Sequence, residues 1–333
     1  MNNTLNCAIV GFGYMGQIRL KTINEISKLN VKIICDSNLN NIPLSKKYKI
    51  TNNFNDIFKE KIDIVFVCTP NNETPNIVIK CLKHKKHVFC EKPPGRNLND
   101  LKKIKKYINA GLKVMFGFNH RFHPAVIAAH NIVKSKKLGR IITLRGIYGK
   151  SGGFNFKKSW RNNKSISGGG ILLDQGIHMI DLFRFFCGDF NQVKCFHSNK
   201  FWKFDVEDNA FLIFKNKQNQ LANLHSSSTL WRHTFRMDIT LEKGYILVEG
   251  LLSKTGSYGQ EKITYAKRQF ENESKAIGNP SETVIYYDQD DSWKLEILKF
   301  LSYIKNNSDV KINGFKDALK SMQLVFTSYK DNK

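Results

Sequence analysis

The stretch Leu5-Asn6-Cys7-Ala8-Ile9-Val10-Gly11-Phe12-Gly13-Tyr14-Met15-Gly16 decides the fold. Its first half is a short apolar run without polar alternation, as expected of a strand buried on both faces of a parallel sheet. Its second half is a full G-x-G-x-x-G, directly after that strand and opening a helical pattern. In this context Gly11 permits the tight turn, Gly13 lets the backbone approach a pyrophosphate, and Gly16 lets helix and strand pack closely. The helix N-terminus then presents unpaired N–H groups to phosphate oxygens. The same glycines would also serve a plain tight turn, so the neighbouring segments must decide.

Those neighbours repeat the strand–helix–strand unit. Leu5 to Val10, Val31 to Asp36, Ile62 to Thr69, His87 to Glu91 and Lys113 to Phe118 read as buried strands. Helical patterns lie between them at about Met15 to Leu29, Glu73 to His84 and Leu98 to Asn109. The last has Asn97 as N-cap, Asp100 three residues on and Gly111 closing it. The repeat implies an α/β fold with a doubly wound parallel sheet and right-handed crossovers. Asp36 ends the second strand 20 residues after Gly16, where a carboxylate binds the adenine ribose hydroxyls. It would repel a 2′-phosphate, and Ser37-Asn38 supplies no Arg to accept one, so NAD is favoured over NADP. Expected cofactor contacts are Gly11, Phe12, Gly13, Tyr14, Met15, Gly16, Asp36 and Ser37. Thr69, Pro70, Asn71, Glu91, Lys92 and Asn119 join them, because they close later strands where open α/β sheets bind ligands.

A chain of 333 residues is about twice a typical domain of roughly 150 residues. The character changes near residue 120, so residues 1–120 read as the dinucleotide domain and 121–333 as an α+β domain. A composition of 41% hydrophobic and 24% charged residues excludes disorder as the main state. No apolar run approaches a membrane span, and no basic-then-apolar leader is seen, so a cytoplasmic location without membrane contact is expected. The net charge of +25 raises a polyanionic partner. However, 43 of the 53 basic residues are scattered Lys, and no nucleic-acid motif occurs, so no nucleic-acid partner is expected. The seven cysteines are odd in number and lack a C-x-x-C, which fits free thiols. His120 and His123 have ligand-like spacing but no third or fourth ligand, so no metal is expected.

The second part reads as a helix near Pro124 to Val133 and strands Arg140 to Tyr148, Val193 to Ser198, Ala210 to Phe214, Leu221 to Ser227 and Phe235 to Leu241. A hairpin at Glu242 to Gly244 returns through Tyr245 to Glu249, and helices at Trp293 to Ile304 and Phe315 to Ser328 end the chain. This is a mainly antiparallel open sheet. Phe211-Leu212-Ile213-Phe214 presents apolar groups to both faces, and Leu224 and Phe235 are expected to add to the uncovered one. A homodimer or homotetramer through this sheet follows.

Three segments carry chemistry. Lys92, held at a strand end by Pro93 and Pro94, is well placed to contact a substrate hydroxyl. Gly168-Gly169-Gly170 precedes a helical segment in which Asp174 and His178 stand at i and i+4, so they sit on one face and can act on one small molecule. Histidine is the usual general acid/base near neutral pH, although a helix that simply buries a hydrogen-bonded His would read alike. The loop from Lys150 to Arg161, with Phe154 and Trp160, should border the same pocket, and Trp231-Arg232-His233 should adjoin it. Its cations and aromatics suit an anionic sugar; a solvated loop is the other reading.

In order, GFGYMG, CTPN, HVFCEKP, GFNHRFHP and GGGILLDQGIHMIDL resemble the glucose–fructose oxidoreductase / inositol dehydrogenase (Gfo/Idh/MocA) family over nearly the whole chain. The resemblance implies an N-terminal Rossmann domain and a C-terminal domain whose open sheet often mediates dimers or tetramers. It makes Lys92 the lysine of the EKP motif, with Asp174 and His178 as the other two polar catalytic groups. Arg121, Trp160, Arg161, Asp174 and His178 are the expected substrate contacts. The implied activity is NAD-dependent interconversion of a secondary alcohol and a ketone on a sugar. A nucleotide-linked sugar of surface-glycan biosynthesis is the expected substrate, with a free sugar or inositol as the alternative. Thr74, where many members have His, and Lys85, where Gly often precedes the strand, blur the subgroup but not the reaction class. A non-catalytic dinucleotide- or ligand-sensing regulator is the rival class, and the presence of Lys92, Asp174 and His178 argues against it.

Overall fold

Short apolar runs separated by helices build the first sheet. In a computed structural model, which describes residues 4–109, 111–153, 155–253, 255–269 and 280–331, these are β1 (Leu5–Val10), α1 (Tyr14–Asn24), β2 (Leu29–Cys35), β3 (Lys49–Thr51), β4 (Ile64–Val67), α2 (Thr74–Lys83), β5 (His87–Cys90), α3 (Leu98–Lys105) and β6 (Val114–Phe116). The strand order is β3-β2-β1-β4-β5-β6, and every pair is parallel. Strand order reverses between β1 and β4, which is the switch point of a doubly wound sheet. Every residue of β4 is buried, as a strand covered on both faces requires. Asn97 caps α3 by accepting from the N–H groups of Asn99 and Asp100, as its spacing predicts. The helix ends at Lys105, short of the expected Asn109. Strand β3 was not foreseen, since three residues are too few to show a period.

The second sheet follows α4 (Pro124–Lys134) and contains β7 (Ile141–Gly149). After it come α5 (Lys164–Ser167), α6 (Ile177–Cys187), β8 (Phe190–Ser198), β9 (Asn209–Asn216), β10 (Leu221–Ser227), β11 (Thr234–Leu241), β12 (Gly244–Glu249), β13 (Glu261–Lys267) and β14 (Thr283–Tyr287). The order is β14-β13-β12-β11-β7-β10-β9-β8. All neighbours are antiparallel except β7 and β10, which run parallel. Strand β9 is two-faced as expected: Leu212 and Phe214 are buried, whereas Phe211 and Ile213 are 55% and 59% exposed. Leu224 and Phe235 correct the expectation, because both are buried. Leu224 lies opposite Leu212 and Phe235 opposite Tyr148, and cross-strand partners share a face. That face is the inward one.

Helices α7 (Ser292–Lys305) and α8 (Phe315–Asp331) end the chain. Two compact units result. One comprises Met1–Asn119, Ser165–Gly168 and Trp293–Met322; the other comprises His120–Lys164, Gly169–Ser292 and Gln323–Lys333. A single cut at residue 120 therefore does not describe the units, since α7 clusters with the first sheet. Glu296 of α7 binds Arg19 of α1 inside the first unit, and the buried Phe300 ring of α7 meets Phe89 of β5 at 5.6 Å.

Candidate active site

In the first unit the glycine turn is shaped by contact. Gly11 has φ +86°, and a Cβ there would lie 2.7 Å from the Cys68 carbonyl oxygen. A Cβ on Gly16 would lie 2.2 Å from the Gly11 carbonyl oxygen, while one on Gly13 would meet nothing within 4 Å. Helix α1 has no acidic residue in its first turn and no side-chain cap. Open space in front of such an N-terminus suits a pyrophosphate. Asp36 is fixed beside this turn: its Oδ2 accepts from the Phe12 N–H at 2.5 Å. Its Oδ1 accepts from the Asn38 N–H at 2.9 Å and from Asn41 Nδ2 at 3.1 Å. These residues fit a dinucleotide with a free ribose diol. Of the others expected there, the Phe12 ring is buried in the core and Tyr14 is exposed, as is Ser37.

Lys92 is half-buried at the end of β5. Its neighbour Glu91 does not do what was expected of it. Glu91 Oε1 accepts from Arg19 Nε at 2.6 Å, and Arg19 Nη2 donates to Glu296 Oε2 at 2.9 Å. The guanidinium lies over the Phe89 ring at 4.3 Å and the Trp293 ring at 4.9 Å. Burial, with Glu91 adding like-charge repulsion against the pull of Arg19, pushes the Glu296 carboxyl up to about 8. Glu91 is therefore an ion-pair partner that ties the lysine's strand to α1. Asn71 donates to the Ser167 carbonyl at 2.7 Å. Thr69 and Thr74 hydroxyls lie 3.0 Å apart, and Thr74 donates to the Pro70 carbonyl at 3.0 Å, so Thr74 builds that turn. Asn119 is buried.

In the second unit a buried carboxylate organises the glycine segment. Glu207 accepts from the Gly170 N–H at 2.9 Å, the Leu172 N–H at 3.0 Å and the Tyr329 hydroxyl at 2.8 Å. A Cβ on Gly170 would lie 2.1 Å from the Glu207 carbonyl oxygen. The chain then makes a π-turn over Leu172–Gly176 before α6 begins. This corrects the expected regular i, i+4 relation, because a π-turn is wider than an α-turn and shifts Asp174 around the axis relative to His178. Asp174 Oδ2 is 3.0 Å from Lys150 Nζ and its Oδ1 is 3.1 Å from Arg161 Nε. The Arg161 guanidinium lies 4.6 Å over the Trp160 ring. Phe156, Arg161, Asp174 and Phe204 line a small pocket.

His178 is buried, and its ring stacks on that of His120 with centroids 3.8 Å apart and planes 19° from parallel. Ser151 Oγ is 3.3 Å from His233 Nε2, and the Leu230 N–H donates to the Lys150 carbonyl at 3.2 Å. The segment at residues 231–233 thus adjoins the basic loop, as expected; Phe154 lies outside the described residues. Arg121 departs from expectation. It is buried and bidentate on Asp181, at 2.7 and 2.6 Å, so those N–H groups are committed to the protein. Sequence reading missed the parts played by His120, Tyr148, Glu207 and Arg19. The only signal was for His120, whose segment stood out by its two histidines. Among the described residues no group of three or more His, Cys, Asp or Glu is set to hold a metal. The seven cysteines are free thiols.

The oxidoreductase family's NAD-binding Rossmann fold matches residues 5–118, and the GFO/IDH/MocA C-terminal domain matches residues 126–247. The chain belongs to the GFO/IDH/MocA family. Its first unit is accordingly an NAD-binding Rossmann fold. Among GFO/IDH/MocA relatives, levoglucosan dehydrogenase of Pseudarthrobacter phenanthrenivorans is 30% identical over 57% of this chain and 53% of its own. The chain thus spans about half the length of that curated relative. Myo-inositol 2-dehydrogenase of Thermotoga maritima is 25% identical over 75% of this chain and 77% of its own. The solved structure of a levoglucosan dehydrogenase in complex with NADH superposes with a TM-score of 0.85. It is 20% identical and is matched over 98% of this chain and 96% of its own. The GFO/IDH/MocA fold is therefore shared along the chain.

Proposed function

We propose that this protein is an NAD-dependent dehydrogenase that interconverts a secondary alcohol and a ketone on a sugar or polyol. One observation carries the reading: a GFO/IDH/MocA chain with a dinucleotide cradle closed by Asp36 also retains Lys92, Asp174 and His178. Bound NAD supplies the hydride acceptor. His178 takes the hydroxyl proton as the carbon is oxidised. Lys92 donates a hydrogen bond that stabilises negative charge on the substrate oxygen, worth about 2–4 kcal/mol if comparable to an oxyanion donor. Asp174, held by two cations, accepts from a further hydroxyl. Lys92→Ala and His178→Ala should each lower turnover about 10³-fold or more while NAD affinity stays within about threefold. Wild-type rates in both variants would reject the assignment.

Lys150 and Arg161 both close on Asp174, so the cations behind the anionic-sugar expectation already have a partner. A neutral sugar, glycoside or polyol is the reading favoured here. Lys157 and Lys158 remain exposed on the same loop, which favours a phosphate- or nucleotide-linked sugar as the second reading. Incubation with NAD and panels of free sugars, inositols, sugar phosphates and nucleotide sugars, followed at the reduced-cofactor absorbance, separates them. A large kcat/KM advantage for the anionic members would overturn the neutral assignment. We further infer a homodimer or homotetramer through the outer face of the eight-stranded sheet. There Phe196, 81% exposed, lies directly opposite Phe211, with Ile213 on the same face. A monomeric mass at micromolar concentration would count against this.

A further inference from the structure

His178 is surrounded by groups that neither the cofactor nor the substrate reading uses. The His120 ring covers its face at 3.8 Å. His120 Nε2 is 3.0 Å from the Tyr148 hydroxyl of β7. The Tyr148 ring meets that of Tyr258 edge-on at 5.6 Å, and the Tyr258 hydroxyl accepts from Gln175 Nε2 at 2.8 Å. Burial pushes Tyr148 well above the usual phenol range and Tyr258 up to about 12. Both hydroxyls therefore stay protonated and hydrogen-bond without carrying charge. On its other sides His120 meets the edge of His123 at 5.4 Å and the Phe235 ring of β11 at 5.8 Å. His123 Nδ1 is itself 2.7 Å from Glu261 of β13. Among the ionisable groups facing His120 are thus His178, Tyr148 and the His123–Glu261 pair.

We propose that His120 is a positioning residue for His178. Its stacked ring fixes the plane of the His178 imidazole, and the two rings titrate as a coupled pair, each opposing protonation of the other. The physical argument has two parts. Tyr148 anchors His120 by a hydrogen bond, so the covering ring cannot tilt without breaking it. Two imidazolium rings at 3.8 Å repel in a buried setting, so protonating one opposes protonating the other and the pair titrates in two coupled steps. A proton acceptor of this kind is held in one orientation, and taking up a proton does not charge the whole cluster twice. The proposal rests on His178 being the proton acceptor.

The test uses the full chain with isotopically labelled histidine. Imidazole NMR titration should show His178 and His120 each changing in two steps, with midpoints separated by more than about one pH unit. In His120→Phe, which keeps an aromatic cover, His178 should titrate in a single step. In His120→Ala the ring-current displacement of the His178 carbon-bound protons should vanish. With NAD in excess and levoglucosan or myo-inositol as substrate, His120→Ala should lower kcat about ten- to thirtyfold with KM within about twofold. Identical single-step titration of His178 in wild type and His120→Phe overturns the coupling. Wild-type kcat in a His120→Ala chain that has lost the displacement overturns the positioning role. Failure of the function itself shows elsewhere, as full turnover in His178→Ala.

Discussion

Two glycine-led turns start the two helical segments that matter most, and they are held in place by different means. At Gly11–Gly16 the constraint is backbone against backbone: added methyl groups would strike the carbonyls of Cys68 and Gly11. At Gly168–Gly170 carbonyls again leave no room for a Cβ, at 2.2 Å from Arg96 and 2.1 Å from Glu207, and a buried side chain is added: Glu207 receives two N–H groups and a tyrosine hydroxyl. The first arrangement is signalled by the glycine spacing within the turn, although Cys68 and Asp36, which press on it and hold it, lie further along the chain. The second depends on a carboxylate 37 residues away from Gly170. A local signal therefore suffices for one turn and not for the other.

The contrast is open to attack by substitution. Gly11→Ala should lower NAD affinity more than about a hundredfold, because the residue is at φ +86° and has no room for a Cβ. Gly13→Ala, facing open space, should leave the fold unchanged, as judged by thermal denaturation. If Gly11→Ala binds NAD normally in calorimetry, the backbone account of the first turn fails. Glu207→Ala should destabilise by about 3 kcal/mol in denaturant titration, since it strands two N–H groups and a hydroxyl, while the NAD affinity of whatever is folded stays unchanged. Glu207→Gln, which keeps one acceptor oxygen, should cost less. Equal stability of the alanine variant and wild type would remove the distinction between the turns.

The legibility of the molecule divides along this line. The parallel sheet, the phosphate turn and the Asn97 cap were readable because each is encoded within a few residues of itself. Likewise the two-faced character of Phe211 to Phe214 follows from a period of two. The inward facing of Leu224 and Phe235 was not readable, because it follows from cross-strand register. The π-turn at Asp174 and the commitment of Arg121 to Asp181 were hidden for the same reason, as was the pairing of Glu91 with Arg19. In each case the partner that sets the geometry lies far along the chain. Candidate site residues could thus be nominated from sequence, while their orientation and charge partners could not.

Smaller effects sharpen the comparison inside the first unit. Asp36→Ala should raise the Kd for NAD about tenfold and leave that for NADP nearly unchanged, since it removes both a ribose acceptor and the repulsion of a 2′-phosphate. A tighter Kd for NADP than for NAD in the wild-type chain would refute the role of Asp36. Glu296 gives the smallest effect. Its carboxyl rises from an ordinary 4.5 to about 8 on folding, so the folded chain keeps a proton that the unfolded chain has released. Its contribution is full below the lower value and is lost as pH climbs through the upper one. Glu296→Gln, neutral like the protonated acid, should flatten the fall in stability between those values by about one proton. It should cost less than about 1 kcal/mol at pH 6. An unaltered pH dependence of stability would show that Glu296 is ionised in the fold.

The Arg19 site also sets a timetable. A ribosome adding roughly 5–20 residues per second delivers Arg19 and Glu91 early in synthesis. Glu296 arrives 277 residues after the arginine it binds, and Asn313, which donates to the Phe118 carbonyl, comes later still. Until they are made, the nascent dinucleotide-binding sheet lacks groups that complete its interior. Its interior is completed only once residues 293–322 have been made, rather than when its own strands emerge.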